Sequence, residues 1–126
     1  MRGWIVAGAL NGFLAVALGA FGAHGLEDVA PPERLAAFET GARYHLAHAV
    51  AILLAALFRD RAPKAGFGRA AAGFALGCLL FSGSLYVYGA GGPRWAAMIT
   101  PLGGLAFLAG WALLAIAGLR TGRGAA

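Results

Sequence analysis

Four apolar runs dominate the sequence, and their lengths decide what the chain can fold into. The runs cover about residues 3–23, 35–58, 70–90 and 95–119. An α-helix rises about 1.5 Å per residue, so a run of roughly 20 residues matches the ~30 Å hydrocarbon core of a bilayer. We therefore predict an all-α integral membrane protein, in which residues 1–126 form a single domain built as a transmembrane four-helix bundle.

The composition supports a membrane protein and excludes several other classes. Apolar residues make up 60% of the chain and charged residues only 12%, against about 25% charged residues in soluble domains. A soluble globular enzyme, a disordered tail and a disulfide scaffold are excluded. The net charge is +5, but the basic residues do not form a helix face interleaved with aromatic residues. We therefore expect contact with anionic lipid headgroups and no nucleic-acid partner.

The second run needs an extension before it can cross a bilayer. The part of it without an acidic or basic residue other than histidine, residues 44–58, would be only about 22 Å long as a helix. The residues before it are amphipathic and begin with Pro31, Pro32 and Glu33, which is a typical helix start. We expect one helix from about Pro32 to Phe58, with an amphipathic interfacial extension before the second span.

The first and fourth runs each allow two interpretations. Residues 20–22 resemble a small-x-small cleavage site, so residues 3–23 could be a signal peptide, although the apolar region is longer than the usual one. Thr100 and Pro101 predict either a helix start preceded by an interfacial segment, or a kink in one continuous fourth helix. Both pairs of alternatives stay open at this point.

Basic residues are distributed unequally between the two ends of the four predicted spans. Both termini and the middle linker share one side of the membrane, and the positive-inside rule makes the more basic side cytoplasmic. We therefore expect both termini in the cytoplasm. The side with both termini holds Arg2, Arg59, Arg61, Lys64, Arg69, Arg120 and Arg123, and the other side holds Arg34, Arg43 and Arg94.

Small residues recur four positions apart within the spans. This spacing lets helix backbones approach closely in lipid, where no hydrophobic force drives helices together. Packing within one bundle and association between copies both use it, and both interpretations stay open. The glycines assigned to helix packing are Gly8, Gly12, Gly19, Gly73, Gly77 and Gly110.

Polar side chains gather towards the end of the predicted bundle that lies away from the termini. His24 ends the first span, and His45 and His48 share one face at the start of the second. Ionisable residues at membrane depth are costly and are usually functional or paired. Asn11, near the middle of the first span, is expected to join helices. The candidate cluster is His24, Arg43, Tyr44, His45, His48, Ser82, Ser84, Tyr86 and Thr100.

Several roles fit this cluster. It could hold the mouth of the bundle together, or His24, His45 and His48 could bind zinc, copper or iron, or ligate haem b through two imidazoles. A small polar or anionic ligand, or a proton, could bind the same histidines. We predict no catalytic residue, because we expect no carboxylate to be buried in a span and the serines lack a nucleophile-elbow pattern.

Four strings of the sequence are more specific than any of these patterns. Together they closely resemble the family called domain of unknown function 423, which includes proteins similar to eukaryotic transmembrane protein 256. The resemblance covers about residues 4–119. The strings are GAFGAHGL at 19–26, YHLAHA at 44–49, FSGSLY at 81–86 and TPLGG at 100–104, with GW following at 110–111.

The resemblance implies a small four-span protein of the bacterial inner (plasma) membrane, and it makes cleavage of the first span less expected. It implies no activity. From the missing catalytic pattern and the small-residue helix faces, we expect a non-enzymatic module without a cofactor, which assembles with itself or with a larger membrane complex. The alternatives are a metal- or haem-binding protein and a small-ligand or proton-sensing site.

Overall fold

The computed structural model describes residues 2–124, which form helices joined by short turns. Four helical regions are long and apolar enough to cross a membrane, and the described residues contain no strand. The predicted all-α, four-span architecture is confirmed. The elements in chain order are α1 (Arg2–His24), α2 (Pro32–Arg61), α3 (Phe67–Gly77), a π-helical turn (Cys78–Ser82), α4 (Gly83–Gly89), a 3-10 helix (Arg94–Met98) and α5 (Thr100–Gly124).

α2 includes the predicted amphipathic extension as part of one continuous helix. It begins at Pro32, where a proline in the first turn costs no helical hydrogen bond, and Glu33 lies near the positive end of the helix dipole. It ends at Arg61, beyond the predicted end at Phe58. The charged residues there stay helical until Pro63, which has no amide hydrogen to donate.

The fourth span begins at a proline instead of bending at one. α5 begins at Thr100, so Pro101 lies in its first turn, and the preceding residues form the separate 3-10 helix Arg94–Met98. Proline is favoured at this position because the amide hydrogen that it lacks would have no helical partner there. Of the two interpretations of Pro101, the structure shows the helix start.

α2 and the third span lie between α1 and α5 in the bundle. α1 packs along α2, the third span (Phe67–Gly89) packs on both α2 and α5, and α1 and α5 do not pack along one another within the described residues. The largest fully buried apolar side chains are Phe38 and Ile52 of α2 and Phe74 of α3. The outer faces of α1 and α5 expose large apolar side chains, as expected for helices that contact lipid.

The glycines assigned to helix packing lie at contacts inside the chain. A methyl group on Gly73 would lie 3.0 Å from the Cα atom of Gly110, so the backbones of α3 and α5 touch at this point. These glycines therefore bring helices of one chain together. Gly8, Gly12 and Gly19 face α2, Gly73 and Gly77 face α5, and Gly110 faces α3.

We predict that Gly73→Leu lowers the free energy of unfolding by about 1–3 kcal/mol, because the new side chain has to push two helix backbones apart. Thermal unfolding in mild detergent measures the change. Gly83→Leu is the matched control, since a Cβ at Gly83 would meet no atom within 4 Å. Equal unfolding temperatures for the two variants would contradict the close α3–α5 contact.

Candidate functional site

The imidazole of His45 joins three helices near the middle of the bundle. Its Nε2 atom lies 2.8 Å from Oδ1 of Asn11 on α1, and its Nδ1 atom lies 2.8 Å from the hydroxyl of Tyr86 on α4. His45 itself belongs to α2 and is buried. One side chain therefore links α2 to the first and third spans.

The hydrogen bonds around His45 select one neutral tautomer. The Asn11 amide nitrogen donates to the carbonyl of Ala7 at 2.8 Å, so Asn11 Oδ1 is the atom that accepts from His45. The proton on the imidazole must then be on Nε2, and Nδ1 accepts from the Tyr86 hydroxyl. Both ring nitrogens are satisfied without a net charge.

His48 has the opposite tautomer. Its Nδ1 atom donates to the backbone carbonyl of Tyr44 at 2.7 Å, and its Nε2 atom accepts from the indole N–H of Trp111 at 3.0 Å. An indole N–H can only donate, so Nε2 must be unprotonated. The imidazole also stacks on Phe107, with ring centroids 3.6 Å apart. His48 thus holds α5 against α2.

Two serines continue the hydrogen bonding through the third span. Ser82 is fully buried, and its hydroxyl donates to the carbonyl of Gly41 at 2.8 Å. Ser84 donates to the carbonyl of Phe81 at 2.9 Å, and it then accepts from the Thr100 hydroxyl at 2.6 Å. The Ser82 bond connects the third span to α2, and the bond between Ser84 and Thr100 connects it to the start of α5.

A π-helical turn lies beside these serines. The amide of Gly83 bonds to the carbonyl of Cys78, five residues back, so one turn of the third span is wider than an α-helical turn. Such turns are frequent at functional sites. Here the turn ends at Ser82, which contacts α2, and the sequence shows no proline or charged residue that would predict it.

The predicted cluster therefore divides into two groups. The first group lies inside the bundle and forms hydrogen bonds between the spans. Together with Asn11 and Trp111 we call it the polar core, and its predicted members are His45, His48, Ser82, Ser84, Tyr86 and Thr100. Tyr44 contributes its backbone carbonyl and its ring. His24 and Arg43 are exposed, and Arg43 contacts only Thr40, at 3.3 Å, among the hydrogen bonds of the described side chains.

The proposed three-histidine site is not assembled in the structure. Within residues 2–122, whose side chains the structure describes, no group of three or more His, Cys, Asp or Glu side chains is placed to hold a metal ion. His24 is exposed at the end of α1, whereas His45 and His48 are buried and bond to different helices. The three imidazoles belong to separate environments, because α1 meets His45 at Asn11, near the middle of α1, and not at the end of α1 where His24 lies.

Sequence reasoning underestimated two residues and the depth of the polar core. Asn11 joins α1 to α2, as the sequence predicts, but it does so through a histidine, and Trp111 is not among the residues predicted for the cluster. Both lie near the midpoints of their helices, so His45 and His48 lie deeper than the outer end where the cluster was predicted. A tryptophan on an apolar helix carries no sequence signal that it will meet a histidine.

A second polar contact fixes the outer end of the bundle. Arg34 donates through Nη1 to the carbonyls of Tyr88 and Gly92, both at 2.8 Å, and its guanidinium lies 4.4 Å from the centre of the Tyr88 ring. The Tyr88 hydroxyl donates to the carboxylate of Glu33. The start of α2 therefore holds the end of α4 and the following turn in place.

An aromatic groove opens on the membrane-facing side between α2 and α5. Its volume is about 420 Å³, and it runs along α5 from Pro101 to Trp111. The rings of Tyr44, Phe81 and Phe107 form its wall, and Gly104 contributes no side chain to it.

Comparisons with known proteins identify similar membrane proteins. A family model described as protein of unknown function (DUF423) matches residues 18–104. The UPF0382 membrane protein YwdK of Bacillus subtilis is 41% identical over 123 residues, which are 95% of this chain and 98% of the relative. The UPF0382 inner membrane protein YgdD of Escherichia coli is 40% identical over 97% of this chain and 93% of the relative. A UPF0382 membrane protein of Haemophilus influenzae is 44% identical over 85% and 86%, respectively.

No solved structure is significantly similar to the chain. The names of the three relatives state a membrane or inner-membrane location and no enzymatic activity. The residues matched by the family model contain most of the polar core, but Asn11 and Trp111 lie outside them.

We predict that Trp111→Phe lowers the free energy of unfolding by about 1–3 kcal/mol, because His48 Nε2 loses its donor while the aromatic packing is largely kept. Thermal unfolding in detergent measures the loss. Trp95→Phe is the matched control, since Trp95 is 62% exposed on the 3-10 helix. If the Trp111 variant unfolds at the wild-type temperature, the indole hydrogen bond does not hold α5.

Proposed function

The chain belongs to the DUF423 family, and on that premise we propose that it is a non-enzymatic membrane module that assembles with itself or with a larger membrane complex. Its polar core holds the four spans in one arrangement, and this arrangement leaves the aromatic groove open towards the membrane. The aromatic groove supports this proposal because a transmembrane helix of the binding partner can pack into it.

The groove is suited to a helix because its walls are fixed before a partner arrives. His48 is held by the Tyr44 carbonyl and by Trp111, and it stacks on Phe107. The imidazole of His48 and the ring of Phe107 therefore lose little conformational freedom on binding, which favours association. In lipid, helices associate by close packing, and Gly104 at the groove lets a partner side chain approach the α5 backbone.

The length of the groove also fits a helix contact. Pro101 and Trp111 lie ten positions apart on α5, which corresponds to about 15 Å along the helix axis. About half of the hydrocarbon thickness is thus available for contact. Leu105 and Leu108 flank the groove and are 63% and 66% exposed, so they can pack on the partner.

The hydrogen bonds of His45 and His48 support a structural role for these histidines, in a protein that binds neither a metal ion nor haem. A cation at His45 or His48 would have to replace hydrogen bonds that already use all four ring nitrogens. A proton-sensing role would be confined to His45, because the Tyr86 hydroxyl can turn and accept, whereas the Trp111 indole cannot. The visible spectrum and the elemental metal content of protein purified without chelator test this part of the proposal.

We predict that Gly104→Leu reduces assembly in native membranes about tenfold or more, which corresponds to a loss of about 1.4 kcal/mol or more of association energy. The leucine fills the groove, while its Cβ would meet only Phe81, at 3.9 Å, so the fold is kept. Photo-cross-linking followed by mass analysis measures assembly. Gly83→Leu, which faces open space, is the control.

The masses of the cross-linked products identify the partner. Multiples of 12.7 kDa indicate a second copy of the chain, and other masses indicate a larger complex. Only monomer in the wild type, or equal assembly of the wild type and Gly104→Leu, would contradict the proposed role of the groove.

We also propose that both termini face the cytoplasm. The start of α1, the turn between α2 and α3 and the end of α5 lie at one end of the bundle. The positive-inside rule places the end with the excess of basic residues in the cytoplasm. The basic residues at this end are Arg2, Arg59, Arg61, Lys64, Arg69 and Arg120.

We predict that a membrane-impermeant maleimide labels Met98→Cys in intact cells, and that it labels Lys64→Cys only after the cells are permeabilised. Met98 and Lys64 are both exposed, at opposite ends of the bundle. The native Cys78 is buried, so the unsubstituted chain serves as the background control. The reverse labelling pattern would overturn the proposed orientation.

A further inference from the structure

A basic cleft lies at the end of the bundle that carries both termini, away from the polar core. Its volume is about 430 Å³, and it is formed by the start of α1, the end of α2 and the start of α3. Arg59, Lys64 and Arg69 line it, and its lining contains no acidic side chain. Like charges that converge on one cavity repel one another, so an anion in the cleft would relieve that repulsion.

The cations converge because the turn between α2 and α3 is fixed. Gly66 has a φ of +109°, in the left-handed region that favours glycine, and it sends the chain directly into α3. Arg120 of α5 donates to the carbonyl of Ala65 at 3.2 Å and holds the turn from the other side. Arg59 at the end of one helix and Arg69 at the start of the next are therefore brought to the same cavity.

Arg59 is the most constrained of the three cations. Its side chain is half-buried, whereas Lys64 and Arg69 are exposed. A methyl group on Gly68 would lie 3.4 Å from Nε of Arg59 and 3.6 Å from its Cζ atom, so the guanidinium lies close to the first turn of α3. A guanidinium held in this way presents a planar, fixed set of donors, which suits the oxygens of a phosphate group.

A second groove joins the cleft to the membrane. It is about 320 Å³ in volume, shares Trp4 and Arg59 with the basic cleft, and continues along α1 past Gly3 and Ala7. Trp4 is half-buried, and a tryptophan near the end of a span marks the level of the lipid headgroups. A ligand that follows both cavities has an anionic head and an apolar body.

We propose that the basic cleft binds the phosphodiester headgroup of an anionic phospholipid, with Arg59, Lys64 and Arg69 around the phosphate and the lipid body along α1 beside Trp4. The groove along α1 favours a lipid over a free phosphate, because it can hold the apolar body that only the lipid has. The site lies at the end of the bundle that carries both termini and shares no residue with the polar core or the aromatic groove, so it does not depend on the proposed assembly through that groove.

The experiment measures the thermal unfolding of the whole chain in uncharged detergent while phosphatidylglycerol, phosphatidylcholine or inorganic phosphate is added. We expect a saturable rise in unfolding temperature with phosphatidylglycerol alone. The double variant Arg59→Gln and Arg69→Gln should weaken the apparent affinity for phosphatidylglycerol at least about tenfold. Arg2→Gln with Arg61→Gln removes the same charge from the same end, outside the cleft, and should respond as the wild type does.

Three results would overturn the proposal. Equal stabilisation by inorganic phosphate would assign the cleft to a free anion, equal responses of the two double variants would indicate diffuse attraction to the basic end, and no response of the wild type would exclude a site. If the Arg59 variant does not fold, Lys64→Gln with Arg69→Gln replaces it, since both side chains are exposed and their loss leaves the packing intact. Its apparent affinity for phosphatidylglycerol is expected to fall in the same way.

Discussion

The hydrocarbon core of a bilayer offers no water, so each polar side chain placed there has to find its hydrogen-bond partner within the protein. The histidines of α2 meet this condition completely. His45 bonds to Asn11 and Tyr86, and His48 bonds to the Tyr44 carbonyl and to Trp111. Among the side chains that the structure describes, those of residues 2–122, no buried nitrogen or oxygen lacks a partner. Because these bonds run from α2 to every other span, they fix the arrangement of the bundle.

Close backbone contact and polar contact depend on one another in this fold. Ser82 reaches the carbonyl of Gly41 only because glycine lets the third span approach α2. In the same way, Gly73 and Gly110 bring α3 and α5 together, and this contact places Trp111 beside His48. A hydrogen bond in lipid is directional and short, so helices that cannot approach cannot use it. The many glycines thus serve the polar core as well as the apolar packing.

The two ends of the molecule have different chemistry. In the polar core and at the start of α2, polar side chains such as His45 and Arg34 form their hydrogen bonds with other groups of the chain. The opposite end concentrates basic side chains at a cavity whose lining has no acidic partner for them. The chain therefore presents two distinct surfaces to its surroundings, an apolar one between α2 and α5 and a basic one between α2 and α3.

The sequence alone determined the class, the number of spans and the family of this protein. The lengths of the apolar runs follow from the thickness of the bilayer, and this constraint acts on each segment separately. The helix start at Pro32 also follows from the sequence, because proline acts on its own turn, whereas at Pro101 the sequence allows both a start and a kink and the structure shows the start. The tertiary structure decided which polar residues meet. The distances from His48 to Trp111 and from His45 to Asn11 depend on the rotation and depth of each helix relative to its neighbours, and these are set by packing between segments far apart in the chain. For that reason His24, which the sequence places at the same end of the spans as His45 and His48, lies outside the polar core. Asn11 and Trp111 belong to the core instead.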